Sequence, residues 1–264
     1  MSFFAAEQIC AGYGKEHVIE GISFQVEAGC VTGVIGANGS GKTTLLKALC
    51  GILPHKGNCK LGDTELERLS PRQLARLCSY IPQRSGISLD ISALDVVLMG
   101  FNPRLGLLEQ PSAAMVQKAV DALARMGLSG KEQINFQHLS EGQKQLCIMA
   151  RTLVSGSQLL LLDEPESALD FRYRYQMLAL LRDFVRDGKR AAIVTLHDPT
   201  LALNCCDRLI LLSGKHVLGT LAPREEPLEQ MEKMLSIIYG EISLRWCVNR
   251  SGKKQLVMLK EDEP

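Results

Sequence analysis

No stretch of this 264-residue chain approaches the roughly 18 consecutive apolar residues needed to cross a bilayer, although hydrophobic residues make up 46% of it. No membrane-spanning segment is expected. The opening Met-Ser-Phe-Phe-Ala-Ala-Glu lacks both the basic start and the long apolar stretch of a secretory signal, so a cytosolic chain is expected. A dense basic stripe is also missing: 30 basic residues stand against 29 acidic ones, for a net charge of +1, which argues against a nucleic-acid partner. Nine cysteines are present but no C-x-x-C pair. Cys10, Cys30, Cys50 and Cys147 fall beside apolar segments and read as small core residues. Adjacent Cys205 and Cys206 lack further ligands nearby in sequence, so reduced structural thiols are expected throughout.

What the chain does have is Gly36-Ala-Asn-Gly-Ser-Gly-Lys42-Thr43, which satisfies the phosphate-loop pattern G-x-x-x-x-G-K-[ST]. Val31–Ile35 before it reads as a short buried strand, and Thr44–Leu49 after it as the first turns of a helix. Glycines let such a loop wrap closely around phosphates, while backbone N–H groups and the helix N-terminus face the anion. Lys42 then neutralises β/γ charge, and Thr43 offers a hydroxyl to Mg²⁺. Gly36, Asn38, Gly39, Ser40, Gly41, Lys42, Thr43 and Thr44 are the candidate nucleotide-binding residues.

Leu159-Leu-Leu-Leu-Asp163-Glu164 is an apolar run ending in two acids. This suits a central parallel strand whose C-terminal end opens onto a ligand crevice. Asp163 can hold Mg²⁺ directly or through water, and Glu164 lies where an attacking water must be oriented or deprotonated.

Leu139-Ser-Glu-Gly-Gln143 precedes this acidic pair and is followed by a helical segment, Lys144–Arg151. Here the chain resembles the ABC transporter ATPases, whose signature is LSGGQ. Gln83 in Tyr80-Ile-Pro-Gln83, Ser167-Ala-Leu-Asp170 and His197 in Thr195-Leu-His-Asp198 follow that family's order, across residues 3 to 220. The resemblance implies that Tyr13 stacks on adenine, His197 contacts the γ-phosphate, and Gln83 completes the Mg²⁺ shell and senses a membrane partner. It also implies that Ser140, Gly142 and Gln143 meet a nucleotide across a dimer interface which Asp170 helps organise. Glu141 stands where the family has glycine. Its carboxylate is expected either to point away or to weaken the closed state.

The fold implied is α/β: a phosphate-loop NTPase core with a mixed, largely parallel sheet and an inserted helical subdomain. Each motif occurs once, so one cassette is expected over residues 1–222, with the helical subdomain at about 84–150 and a helix-and-hairpin extension over 223–264. Within the lobe, Met115, Ala119, Ala122 and Met126 share one helical face. The segment Ser88–Val97 mixes acids with apolar residues. It either docks a permease helix, with Asp90 and Asp95 exposed, or fills the lobe's own core with Ile91, Leu94 and Val97.

Leu69-Ser-Pro-Arg-Gln-Leu-Ala-Arg, Asp95-Val-Val-Leu-Met-Gly100, Asn102-Pro-Arg104 and Leu169–Gln176 resemble the importer ATPases for iron-siderophore, haem and cobalamin uptake. The resemblance implies an ATP- and Mg²⁺-dependent ATPase powering an importer on the cytoplasmic face of the membrane. Its partners would be a second copy enclosing two ATP molecules, a polytopic permease and a separate substrate-binding protein. An ABC ATPase for another cargo, such as zinc, manganese or an exported lipid, is the first alternative. A soluble ABC ATPase of an iron-sulfur scaffold, without permease, is the second.

Overall fold

Two long strands open the chain, β1 (Phe4–Tyr13) and β2 (Glu16–Val26), paired antiparallel with apolar and polar residues alternating over much of their length. The computed structural model describes residues 2–83, 86–106, 108–167 and 169–261. Strand β3 (Val31–Gly36) is buried throughout and delivers the chain to helix α1 (Lys42–Leu49). Strands β4 (His55–Leu61) and β5 (Thr64–Glu65) then extend the first pair into an antiparallel sheet of order β2-β1-β4-β5. Helix α2 (Pro71–Leu77) starts at a capping box formed by Ser70 and Gln73, and runs into strand β6 (Cys78–Ile81).

The helical lobe comprises α3 (Ala93–Leu98), α4 (Ala113–Arg125) and α5 (Glu141–Ser155). Gly156, in the left-handed conformation at φ 66°, ends α5. Arg84 and Ser85, at the expected start of the lobe, lie outside the described residues. Ala119, Ala122 and Met126 are buried as their shared face predicts, and Met115, in the first turn, is half-buried. Alternation of strand and helix then continues through β7 (Leu159–Asp163), α6 (Phe171–Val185), β8 (Ala191–Thr195), α7 (Pro199–Cys205) and β9 (Arg208–Ser213). Strand β10 (His216–Leu221), helix α8 (Leu228–Tyr239) and the hairpin of β11 (Ile242–Val248) and β12 (Lys254–Lys260) complete the described chain. Among the described residues, no helix is long and apolar enough to cross a membrane.

The central sheet has the order β10-β9-β3-β8-β7-β6, parallel except for its edge strand β10. Its inner strands β3, β7, β8 and β9 are buried on both faces and largely apolar, whereas the edge strand β10 alternates exposed and more buried residues. Leu160, Leu162, Ala192 and Val194 enter a core shared with the helical lobe, α6 and α7, whereas Leu159, Leu161, Ala191 and Ile193 enter a second core beneath α1 and the antiparallel sheet. The ends of β3, β8 and β7 consequently lie side by side.

Asp90 and Asp95 are exposed, as expected of a charged surface, and both also make local bonds: the Asp95 carboxylate accepts from the Ser92 backbone N–H at 3.2 Å, closing the capping box of α3, and Asp90 accepts from the Asn135 side-chain amide. Val97 is fully buried and Ile91 and Leu94 pack against the larger core, so the apolar residues of this segment fill the lobe's own core while its two acids stay at the surface. Among the four cysteines read as core residues, Cys147 is buried while Cys10, Cys30 and Cys50 are half-buried at its margins.

The terminal hairpin is fastened to α7 by Asn204, whose side-chain amide donates to Leu256 O at 2.7 Å while its oxygen accepts from Leu256 N at 2.9 Å. Leu244 and Leu256 insert into the larger core alongside Met231 and Leu235. Removing both bonds by Asn204→Ala should cost about 2 kcal/mol of local stability, which corresponds to roughly 30-fold faster exchange of the Leu256 amide. Hydrogen-exchange measurement checks this, and unchanged exchange would show that apolar packing alone holds the hairpin.

Candidate functional site

Asp163 ends β7 directly opposite Thr195 at the end of β8. The Thr195 hydroxyl donates to Asp163 Oδ1 at 3.0 Å and accepts the Glu164 backbone N–H at 2.8 Å. Thr43 donates to the same Asp163 oxygen at 3.0 Å, and the Tyr80 hydroxyl donates to the other at 3.0 Å. One carboxylate thus joins the start of α1, the β6 strand and two neighbouring strand ends. The Tyr80 hydroxyl is held protonated, its pKa raised by burial and then by the Asp163 charge.

Beyond Asp163 the backbone turns sharply, with Glu164 at φ 47°, a left-handed conformation rare for a non-glycine residue and costing on the order of 1–3 kcal/mol. The turn aims the Glu164 side chain at Gln83 and His197. Gln83 Nε2 donates to Glu164 Oε2 at 2.7 Å, and His197 Nε2 lies 2.8 Å from the same oxygen. Three residues singled out from separate motifs therefore meet at one atom.

The loop between β3 and α1 has the geometry of an anion cradle. Gly39 and Gly41 adopt φ 78° and 97°, and a Cβ at Gly41 would come within 2.5 Å of Ile19 Cγ2. Lys42 is buried, with its ammonium donating to Gly36 O at 3.0 Å and Ala37 O at 3.3 Å. Burial lowers its pKa, an effect partly countered by the charges of Glu164, Asp163 and Glu166. Ser40 Oγ is buried with no hydrogen-bond partner among the described residues. A desolvated cation with carbonyl partners and an unused hydroxyl suit a phosphate, and the oxygens of Thr43 and Asp163 suit a hard divalent cation such as Mg²⁺. Asn38 and Thr44 flank this cradle, and Tyr13 stands exposed at the end of β1 beside a concavity of about 450 Å³.

The signature segment lies elsewhere. Ser140 caps α5, its hydroxyl accepting from Gln143 N at 3.3 Å while Gln143 Oε1 accepts from Ser140 N at 3.2 Å. Glu141 is mostly exposed and paired with Lys144 at 2.8 Å, and it shares the concavity lined by Ser140 and Gly142. Ser140, Gly142, Gln143 and Asp170 line one concavity of about 360 Å³ on the lobe, to which no phosphate-loop residue contributes. Asp170 caps α6 by accepting from Tyr173 N at 3.1 Å, and Ala168 within its motif lies outside the described residues.

Sequence reasoning missed Thr195, the hydroxyl of Tyr80, and Glu166. Glu166 is buried and accepts from His197 N at 3.1 Å, which ties the turn after β7 to the histidine. Its position two residues after Glu164 was the available signal. Thr195 and Tyr80 carry none, because their partnership with Asp163 arises from strand order.

The model of the ABC transporter family matches residues 19–167, and the chain belongs to that family. It is 32% identical over 229 residues to the "Probable iron chelatin transport ATP-binding protein" of Helicobacter pylori, covering 86% of this chain and 89% of that one. It is 36% identical over 227 residues to the hemin import ATP-binding protein of Bordetella pertussis, covering 83% and 85% of the two chains. A solved structure of a metal-chelate type ABC transporter in an inward-facing conformation matches with a TM-score of 0.82 at 25% identity, covering 99% of both chains. The protein is an ABC-type ATPase with the phosphate-loop NTPase fold.

Burial raises the Glu166 carboxyl above its ordinary value near 4.5, partly offset by the backbone N–H groups of residues 166 and 197. The folded state therefore keeps this proton to higher pH than the unfolded chain, and stability falls as pH rises through the window between the two values. Glu166→Gln abolishes that slope. Relative to the variant, the wild-type melting temperature should decline as pH rises above about 4.5 and level off once the folded carboxyl ionises. A constant difference at every pH would show that Glu166 ionises alike in both states.

Proposed function

We propose that the chain is the ATP-hydrolysing subunit of an importer for an iron chelate or haem, acting as a two-fold dimer bound to a polytopic permease on the cytoplasmic side of the membrane. The relatives' names support the cargo class, and the 99% mutual coverage with the metal-chelate type transporter structure supports the same architecture. One observation carries the dimer: Lys42, Asp163, Glu164 and His197 converge at the strand ends while Ser140 and Gly142 open a different concavity on the lobe. Neither half surrounds a γ-phosphate. Two chains related by a two-fold axis, each offering its helix α5 N-terminus to the other's phosphate loop, would make two equivalent sites.

In this reading Lys42 and the loop N–H groups bind the β- and γ-phosphates, Ser40 adds a hydroxyl, and Tyr13 stacks on the base. Thr43 and Asp163 would hold Mg²⁺, with Gln83 beside them; the ion supplies charge neutralisation between phosphate oxygens. Glu164 orients the attacking water and accepts its proton, while His197 positions Glu164 and reaches the γ-phosphate. Hydrolysis weakens the closed pair, and the difference in affinity between ATP and ADP states drives the permease. A separate substrate-binding protein would deliver the cargo.

Lys42→Ala should abolish ATP binding, whereas Glu164→Gln should retain binding and lower turnover by at least about 100-fold, measured by nucleotide titration and by phosphate release. Near-normal turnover in both variants would remove the assignment. Light scattering tests assembly: Glu164→Gln with Mg-ATP should shift from monomer to dimer, ADP should not produce the shift, and adding Ser140→Arg should block it. Dimerisation unaffected by Ser140→Arg would place the signature away from the interface. Copurification with soluble partners in place of a polytopic membrane protein would favour the scaffold alternative.

A further inference from the structure

Outside the group that converges on Asp163 and Glu164, His55, Cys59 and Glu67 bring an imidazole nitrogen, a thiol sulfur and a carboxylate oxygen to within 4.8 Å of one another, with His55 also in the wall of the concavity beside Tyr13. His55 and Cys59 are four residues apart on β4, and in a flat strand such residues stand about 13 Å apart. Their donors approach because this stretch is irregular: the register between β1 and β4 slips between Glu7 and Cys10, Gln8 takes φ 55°, and Gly57 takes φ 97°. A Cβ at Gly57 would lie 2.5 Å from Gln8 O, so only glycine permits this approach. Glu67 follows β5 and completes the group from the other side, its Oε1 accepting from Cys59 N at 2.6 Å and lying 3.3 Å from His55 Nε2.

The surroundings suit a ligand. A cavity of about 480 Å³ lies beside the group, with His55, Glu67, Cys50 and Cys78 in its wall and Cys59 buried behind it. Its opposite side is the end of α1, the helix that begins at the phosphate loop. Cys59 itself is buried, and its thiol pKa is raised, first by that burial and then by Glu67. Without a cation it remains a neutral thiol.

We propose that His55, Cys59 and Glu67 form a binding site for a divalent cation of the zinc class, with its fourth coordination position facing the cavity. One nitrogen, one thiolate and one carboxylate match the borderline-soft preference of such ions, whereas Mg²⁺ and Ca²⁺ would reject the sulfur. Binding replaces the Cys59 S–H bond by a metal–sulfur bond and releases that proton to solvent; no electron is transferred. The bound ion ties β4 to the turn after β5, beside the end of α1. The site is independent of the cargo and of the dimer.

Co²⁺ is the probe. The full-length, reduced, chelator-treated protein should bind about one equivalent of Co²⁺ with a thiolate-to-cobalt charge-transfer band in the near ultraviolet, and Zn²⁺ should displace it. Cys59→Ser should abolish the band, while Cys247→Ser, at an exposed thiol, should leave it intact. Glu67→Gln keeps an acceptor for Cys59 N and so preserves the local fold, yet removes the anionic ligand; it should weaken Co²⁺ binding by at least about tenfold. Absence of the band at stoichiometric Co²⁺ overturns the proposal. So does a band that survives at full strength in Cys59→Ser, or unchanged affinity in Glu67→Gln.

Discussion

The carboxylate of Asp163 is the point on which the arrangement of the site depends. It is nearly inaccessible to solvent, yet it stays compatible with its surroundings because three hydroxyls, from Thr43, Tyr80 and Thr195, donate to it. A buried charge without such donors would cost several kcal/mol. The same three bonds fix the start of α1, β6 and the end of β8 relative to β7. Thr195 extends this control one residue further by accepting the N–H of Glu164. The strained turn at Glu164 and the convergence of Gln83 and His197 on its side chain follow from that anchor.

The anchor is rigid because the strands beneath it are buried on both faces. Successive leucines of β7 feed alternate cores, one shared with the helical lobe and one with the antiparallel sheet and α1. A displacement of β7 would therefore disturb both cores together, since close-packed interiors resist small shifts. The lobe's own integrity uses local devices, including the capping boxes at Ser92 and Ser140. Asp90 and Asp95 take part in that local structure and still present their charge at the lobe's surface.

Glu141 departs from the signature without disturbing the start of its own helix. A carboxylate in the first turn of a helix is favourably placed against the helix dipole, and Lys144 one turn on pairs with it. The N-terminus of α5 thus keeps its capping box while the extra charge lies in the wall of the concavity that Ser140 and Gly142 line. The pair is largely exposed on the glutamate side and contributes little to stability.

The local motifs were legible in the sequence because the chemistry they need lies within a few residues. Gly36 to Thr43 encode loop conformation, cation and hydroxyl together, and the apolar run before Asp163 encodes a strand buried on both faces. The helical face of Ala119, Ala122 and Met126 was equally clear, as was the terminal hairpin. Tertiary structure alone decided which residues complete each group. Thr195 and Tyr80 reach Asp163 from 32 and 83 residues away, through the order of strands in the sheet. The capping box of Ser92 and Asp95 lies within four residues and was open to reading from sequence, whereas Glu67 joins His55 and Cys59 because β4 is bent against β1. Spacing along the chain governs local backbone and periodicity, whereas contacts across dozens of residues are set by strand order and register, which no single motif encodes.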